Sequence, residues 1–154
     1  MSDEAPKDFT EILNQAGADG WITANGLRLV RATVDEVVAE MPILPAHLQG
    51  YGIVHGGVHA AVVETLASIG AALSAFSQGK SVVGLENHTS FLRAVRSGTL
   101  HARATPLTRG RRTQVWEAAI RDDEGRLVAT GRVRLLVLDA GTELGGERVG
   151  IREE

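Results

Sequence analysis

The chain has 154 residues, a formal net charge of −3 and no cysteine. This length suits one domain that buries roughly two-thirds of its unfolded surface without covalent staples, and the lack of thiols excludes disulfides, cysteine-ligated zinc and a cysteine nucleophile. A mildly acidic chain with 4% aromatic residues has neither the field nor the stacking platforms for nucleic acid or an anionic membrane, so the expected partner is a small molecule.

Residues 1 to about 7 are polar and acidic and are expected to be disordered; they do not resemble a secretory signal, which favours the cytoplasm. Residues 8–16 suit a short helix ended by Gly17 and Gly20, so that residues 1–19 form a tail and helix ahead of a domain at 20–138. Residues 27–33 and 36–41 are β-branched or alternating runs divided by a turn near Asp35. Pro42 and Pro45 close this region, and a loop through Gln49, Gly50 and Gly52 leads to His55-Gly56-Gly57.

From Gly57 to Phe76 the chain is rich in alanine and lacks strand alternation, which predicts a helix of about five turns. Its apolar residues occupy nearly every face, so protein should wrap it on most sides. The run approaches membrane-spanning length, but His59, Glu64, Thr65, Ser68 and Ser74 favour a buried helix of a soluble domain. Strands are expected over 81–95, 99–107, 112–121 and 126–138, joined by tight turns into an antiparallel meander, with Trp116 packed in the sheet. Residues 139–154, rich in glycine and charge, read as a disordered tail. The fold class is therefore α+β, one long helix cradled by a curved antiparallel sheet, with any uncovered remainder calling for a partner subunit.

Glu64 is the only charged residue between His59 and Lys80, and a carboxylate in such a run needs a partner or a job. The helix start has unpaired N–H groups and a partial positive charge, and Gly56 and Gly57 let an anion or polarised carbonyl come close. Glu64 lies seven residues after Gly57, about 10 Å along the axis, out of easy reach of a carbonyl held at the glycines of the same chain. An antiparallel helix from a second subunit would bring its own Glu64 to Gly56, giving two sites per dimer. His55, beside the glycine pair, is a candidate catalytic residue, with capping of the helix or packing of the loop as the alternative. Its spacing from His59 is compatible with a metal, but no third ligand is evident and the two glycines weaken the helix there, so no metal is expected. Arg109-Gly110-Arg111-Arg112 presents three guanidiniums suited to phosphates, with Arg93 and Arg96 as further contributors.

The segment Gln49-Gly50-Tyr51-Gly52-Ile53-Val54-His55-Gly56-Gly57, the following Glu64 and the strand Asn87-His88-Thr89-Ser90-Phe91-Leu92-Arg93 resemble the hot-dog-fold acyl-CoA thioesterases. More narrowly, they resemble the phenylacetate-pathway-type and 4-hydroxybenzoyl-CoA thioesterase branch, which uses a helix glutamate. A related branch uses an aspartate ahead of the helix, and this chain has no carboxylate between Met41 and Val63. The resemblance implies that the Gly56 N–H polarises the thioester carbonyl, that Glu64 attacks it or activates water, and that Gln49 lies near the reacting group. It also implies that Ser68 orients the nucleophile, a contact that the four-residue spacing independently allows. Gly57, Asn87 and Arg93 become candidate substrate contacts, and Arg109, Arg111 and Arg112 candidates for the coenzyme A phosphates. No cofactor is expected beyond the coenzyme A of the substrate, and self-association as a homodimer or homotetramer is. The competing expectations are an acyl-CoA-binding module without turnover and a hot-dog hydratase or dehydratase.

Overall fold

A computed structural model describes residues 5–16 and 20–150. In chain order it holds helices α1 (Thr10–Ala16) and α2 (Trp21–Ala24), strands β1 (Arg28–Ala32) and β2 (Val37–Pro42), a short 3-10 turn at Pro45–His47, the long helix α3 (Gly56–Phe76), and strands β3 (Ser81–Phe91), β4 (Thr99–Arg109), β5 (Thr113–Arg121) and β6 (Leu127–Leu138). A two-strand hairpin of β7 (Glu143–Leu144) and β8 (Glu147–Arg148) follows. The expected disorder of residues 1–7 lies partly, and Gly17 wholly, outside the described residues.

The six long strands form one antiparallel sheet in the order β1-β2-β4-β5-β6-β3, and α3 lies along it in contact with β2 through β6. Alternation explains the layering. On β6, Ala129, Gly131, Val133 and Leu135 are buried towards the helix, while Arg132 and Arg134 are exposed on the other side. There they pair with Glu117 at 3.1 Å and Glu86 at 3.2 Å on the neighbouring strands. One face of the sheet is thus core and the other is solvated charge.

Trp116 fills the core between sheet and helix, fully buried, with its indole N–H donated to Gln114 at 2.9 Å. It packs so closely on Gly70 that no side chain would fit there, which explains a glycine in mid-helix despite its cost of about 1 kcal/mol. α3 is long and apolar enough by composition to cross a membrane; here its buried stripe of Val62, Val63, Leu66, Ala67, Gly70 and Ala71 serves the sheet.

Two expectations are corrected. The last four long strands are not a simple meander: β3 crosses to the far edge and pairs with β6, leaving β4 between β2 and β5. Residues 92–98 make that crossing, and the chain signals a turn there without signalling which strand it joins. Residues 21–24, which carry no assignment from the sequence, form the short helix α2. Residues 139–150 of the expected tail are not featureless, because Gly145 and Gly146 both hold positive φ (62° and 86°) and close the β7–β8 hairpin, the conformation that a two-residue turn requires; residues 151–154 lie outside the described residues.

Candidate active site

The start of α3 is built by its cap. His55 is extended (φ −63°, ψ 135°), and its Nδ1 accepts the Gly57 N–H at 2.8 Å. This fixes the imidazole and satisfies one of the open donors of the first turn. The Gly56 N–H receives no hydrogen bond partner among the described residues. The Phe91 ring sits against Gly56, 2.8 Å from where a Cβ would stand, so a larger residue there would have to displace that ring.

Gln49 is anchored by its own loop. Its side-chain oxygen accepts the Tyr51 N–H at 2.6 Å, which leaves the amide N–H₂ as the group available to a ligand. Gln49 and Gly56 share a cavity of about 340 Å³ with Ile53, Val54, His59, Phe91, Leu92, Arg93 and Ala94. Burial pushes the His59 imidazole below the ordinary histidine value of 6.5, because a charged ring would lose its hydration there.

Glu64 stands two turns further along α3 and does not line that cavity. Its half-buried carboxylate is held at both oxygens: Ser68 donates to Oε1 at 3.2 Å, and Asn87 on β3 donates to Oε2 at 3.0 Å. Asn87 is itself fixed, since its amide also donates to the Ala60 carbonyl at 3.0 Å and its oxygen accepts the Thr89 hydroxyl at 2.6 Å. Acceptance of two hydrogen bonds leaves free lone pairs for a proton or an electrophile while the carboxylate's orientation is set.

A bulge in β3 makes this possible. The register against β6 slips between Gly84, opposite Leu135, and Glu86, opposite Arg134. One extra residue inverts the alternation, so Gly84 and Asn87 both face Glu64 although three positions separate them. A Cβ on Gly84 would lie 2.5 Å from Glu64 Oε1; the glycine is the space the carboxylate occupies. Without the bulge, Glu86 and His88 would face the helix. The sequence reading missed Gly84, and its only signal was a glycine inside a strand pattern.

The candidate residues therefore fall into three groups. Gln49, His55, Gly56, Gly57 and Arg93 gather at the helix start, and Glu64, Ser68 and Asn87 form a second cluster along the same helix. The arginine turn lies elsewhere. Thr113 pairs with Leu136 and Ser81 with Leu138, so Arg109, Arg111 and Arg112 stand near the C-terminal end of α3, a helix length of about 30 Å from Gly56. Arg109 is engaged there with the Asp35 carboxylate at 3.0 Å and the Val34 carbonyl at 2.7 Å, whereas Arg111 and Arg112 are exposed. Arg96 donates to the Tyr51 carbonyl at 2.6 Å and braces the Gln49 loop.

Comparison with known proteins adds a family to this geometry. Residues 51–129, which span α3 and its flanking site elements, match the model of the Thioesterase superfamily. Among solved structures, Rv1847/MT1895 of Mycobacterium tuberculosis is 43% identical, with 77% of this chain and 96% of that one covered at a TM-score of 0.76. The thioesterase HI1161 of Haemophilus influenzae is 38% identical, with 84% and 90% covered at a TM-score of 0.79. The proofreading thioesterase EntH of Cronobacter turicensis is 35% identical over 128 residues, which are 83% of this chain and 93% of that protein. A helix wrapped by a six-strand antiparallel sheet, an open helix start and an anchored carboxylate thus coincide with the sequence match: the chain belongs to the Thioesterase superfamily, with the hot-dog fold and the chemistry of a thioester hydrolase.

Proposed function

We propose that the protein hydrolyses acyl-CoA thioesters, aryl or medium-chain, to the free acid and coenzyme A, by the helix-glutamate route of the phenylacetate-pathway-type and 4-hydroxybenzoyl-CoA branch. The observation that carries this reading is the separation of two prepared half-sites on one helix. An unpaired Gly56 N–H and an anchored Gln49 amide face a cavity, and a carboxylate locked by Ser68 and Asn87 stands outside it.

In this reading the thioester oxygen sits at the Gly56 N–H and the Gln49 amide, where donors aimed at a developing oxyanion contribute a few kcal/mol each. A second copy of the chain, its α3 antiparallel to the first, supplies Glu64. That carboxylate either takes a proton from a water that attacks the carbonyl carbon, or attacks that carbon itself; in both cases the C–S bond breaks and coenzyme A leaves as the thiolate, and on the second route water then cleaves the acyl-glutamyl anhydride to release the acid and restore Glu64. His55 holds the helix start and Ser68 orients the carboxylate. Arg93 at the cavity, together with Arg111 and Arg112 brought from the second copy's far helix end, are the cations offered to the coenzyme A phosphates. In this reading no metal or redox group takes part, the assembly is a homodimer or a pair of homodimers, and the protein is cytoplasmic.

Thiol release measured over a panel of aryl and straight-chain acyl-CoA esters tests the reading. Turnover that falls by orders of magnitude in Glu64→Gln with binding retained supports it. Tight binding without turnover in the unaltered protein would mark an acyl-CoA-binding module, and hydration of an enoyl-CoA without thiol release would mark a hydratase.

A further inference from the structure

We infer that His59 sets specificity at the helix-start cavity, offering a neutral N–H that selects acyl groups carrying a hydroxyl or keto oxygen over pure hydrocarbon ones. The inference rests on the thioesterase reading of that cavity and adds a substrate class to it.

His59 is only 3% exposed and lines the cavity beside Gln49, Gly56, Phe91 and Arg93. Among the described residues its Nδ1 is sealed in protein without a hydrogen bond partner, whereas Nε2 is not sealed in this way and is the nitrogen left to face the cavity that His59 lines. A neutral imidazole carries its proton on one nitrogen. A sealed Nδ1 goes unpartnered in either tautomer, but with the proton on Nε2 the donor faces the cavity, where a ligand or water can satisfy it. Burial keeps the ring neutral, so the cavity receives one fixed donor and no charge.

The other walls sharpen the choice. Ile53, Val54, Phe91 and Leu92 are apolar, and the Phe91 ring lies 6.2 Å from the His59 ring, tilted by 34°. An all-hydrocarbon acyl group suits these walls but strands the His59 N–H, which must surrender water and gain nothing. An oxygen-bearing group keeps the apolar contact and accepts the bond. A site of this kind discriminates against the analogue that lacks the polar atom. The same position one helical turn after Gly56 places the donor beside the reacting end of the acyl group, so the oxygen selected is one close to the thioester.

Paired substrates test this directly: hexanoyl against 2- and 3-hydroxyhexanoyl-CoA, and benzoyl against the three hydroxybenzoyl-CoA isomers. The unaltered protein is expected to favour at least one oxygenated member by roughly tenfold in kcat/KM. His59→Leu should abolish that preference by slowing the oxygenated ester by roughly tenfold more than its plain partner, and His59→Gln, which retains a donor, should keep part of it. No preference in the unaltered protein, or an equal loss for both members of a pair in His59→Leu, sinks the inference.

Two further measurements do not depend on turnover or on the variant's folding. Nitrogen NMR of the unaltered protein should find His59 neutral with its proton on Nε2; a proton on Nδ1 would overturn the assignment. Calorimetric binding of non-hydrolysable thioether analogues of the same pairs should show the same preference, and equal affinities count against it. If no thioester is hydrolysed while the oxygenated analogue binds tighter, the hydrolase reading fails and the role of His59 stands.

Discussion

Glu64 is held by Ser68 and Asn87, and the carboxylate and its Asn87 anchor make separable predictions. Glu64→Gln keeps the shape and loses the basic, nucleophilic oxygen, so kcat should fall by about 10²–10⁴-fold, in the range of removed acid–base catalysis, with substrate affinity near that of the parent; stopped thiol release and calorimetry read the two quantities. Asn87→Leu removes the 3.0 Å bond to Oε2 but leaves the carboxylate, so kcat should drop by roughly tenfold with KM little changed. The two deeply buried histidines act on stability instead. Burial lowers the proton affinity of both His47 and His59 in the native state. Between the ordinary value of 6.5 and those lowered values the unfolded chain binds more protons than the folded one, so stability falls as pH falls. Their contribution is intact above 6.5 and is lost as pH drops through the native values. Urea unfolding at pH 8, 7, 6 and 5 should show this decline, with a shallower slope in His59→Leu; a flat profile would contradict it.

At the scale of elements, the decisive feature is the bulge in β3. It turns an eleven-residue strand into two stretches of opposite parity and so aims both Gly84 and Asn87 at one carboxylate. Gly84→Ala puts a methyl at 2.5 Å from Glu64 Oε1, and the cheapest response is for the side chain to swing away. Activity should therefore fall by tenfold or more while the melting temperature moves little, because an exposed strand and a half-buried glutamate can adjust. Gly70→Ala is the contrasting case. There the obstacle is the indole of Trp116, fixed by Gln114, whose own amide reaches the Ala71 carbonyl at 3.4 Å. Overpacking against so rigid a neighbour costs about 1–3 kcal/mol, so thermal unfolding should show the change and the residual folded enzyme should retain its kcat.

For the whole molecule, the uncovered surfaces are informative. β3 ends the sheet with a long open edge; Leu85 is 49% and Phe91 59% exposed, and α3 buries only one stripe of its apolar surface. Long open edges with apolar residues invite pairing. If a second copy meets this edge and completes each site, two inactive variants should rescue one another. Mixed Glu64→Gln and Gln49→Ala chains, exchanged and re-annealed, would carry one intact site in each heterodimer, restoring about a quarter of parental activity for a random two-fold mixture. A site complete within one chain would give no rescue.

The amino-acid order by itself determined the long helix, the strand runs around it, the glycine pair at its start and the isolated glutamate, because these are local matters of period, turn chemistry and charge. Ser68 was legible for the same reason, being four residues from Glu64 on one helical face. Where β3 pairs, how its bulge redirects Gly84 and Asn87, and the engagement of Arg109 by Asp35 rather than its standing free depend on contacts between residues far apart in the chain. His59 looked like half of a spacing; only packing revealed that one of its nitrogens is sealed. Periodicity records which face a residue takes within its own element, whereas register and burial arise from what the other elements bring against it.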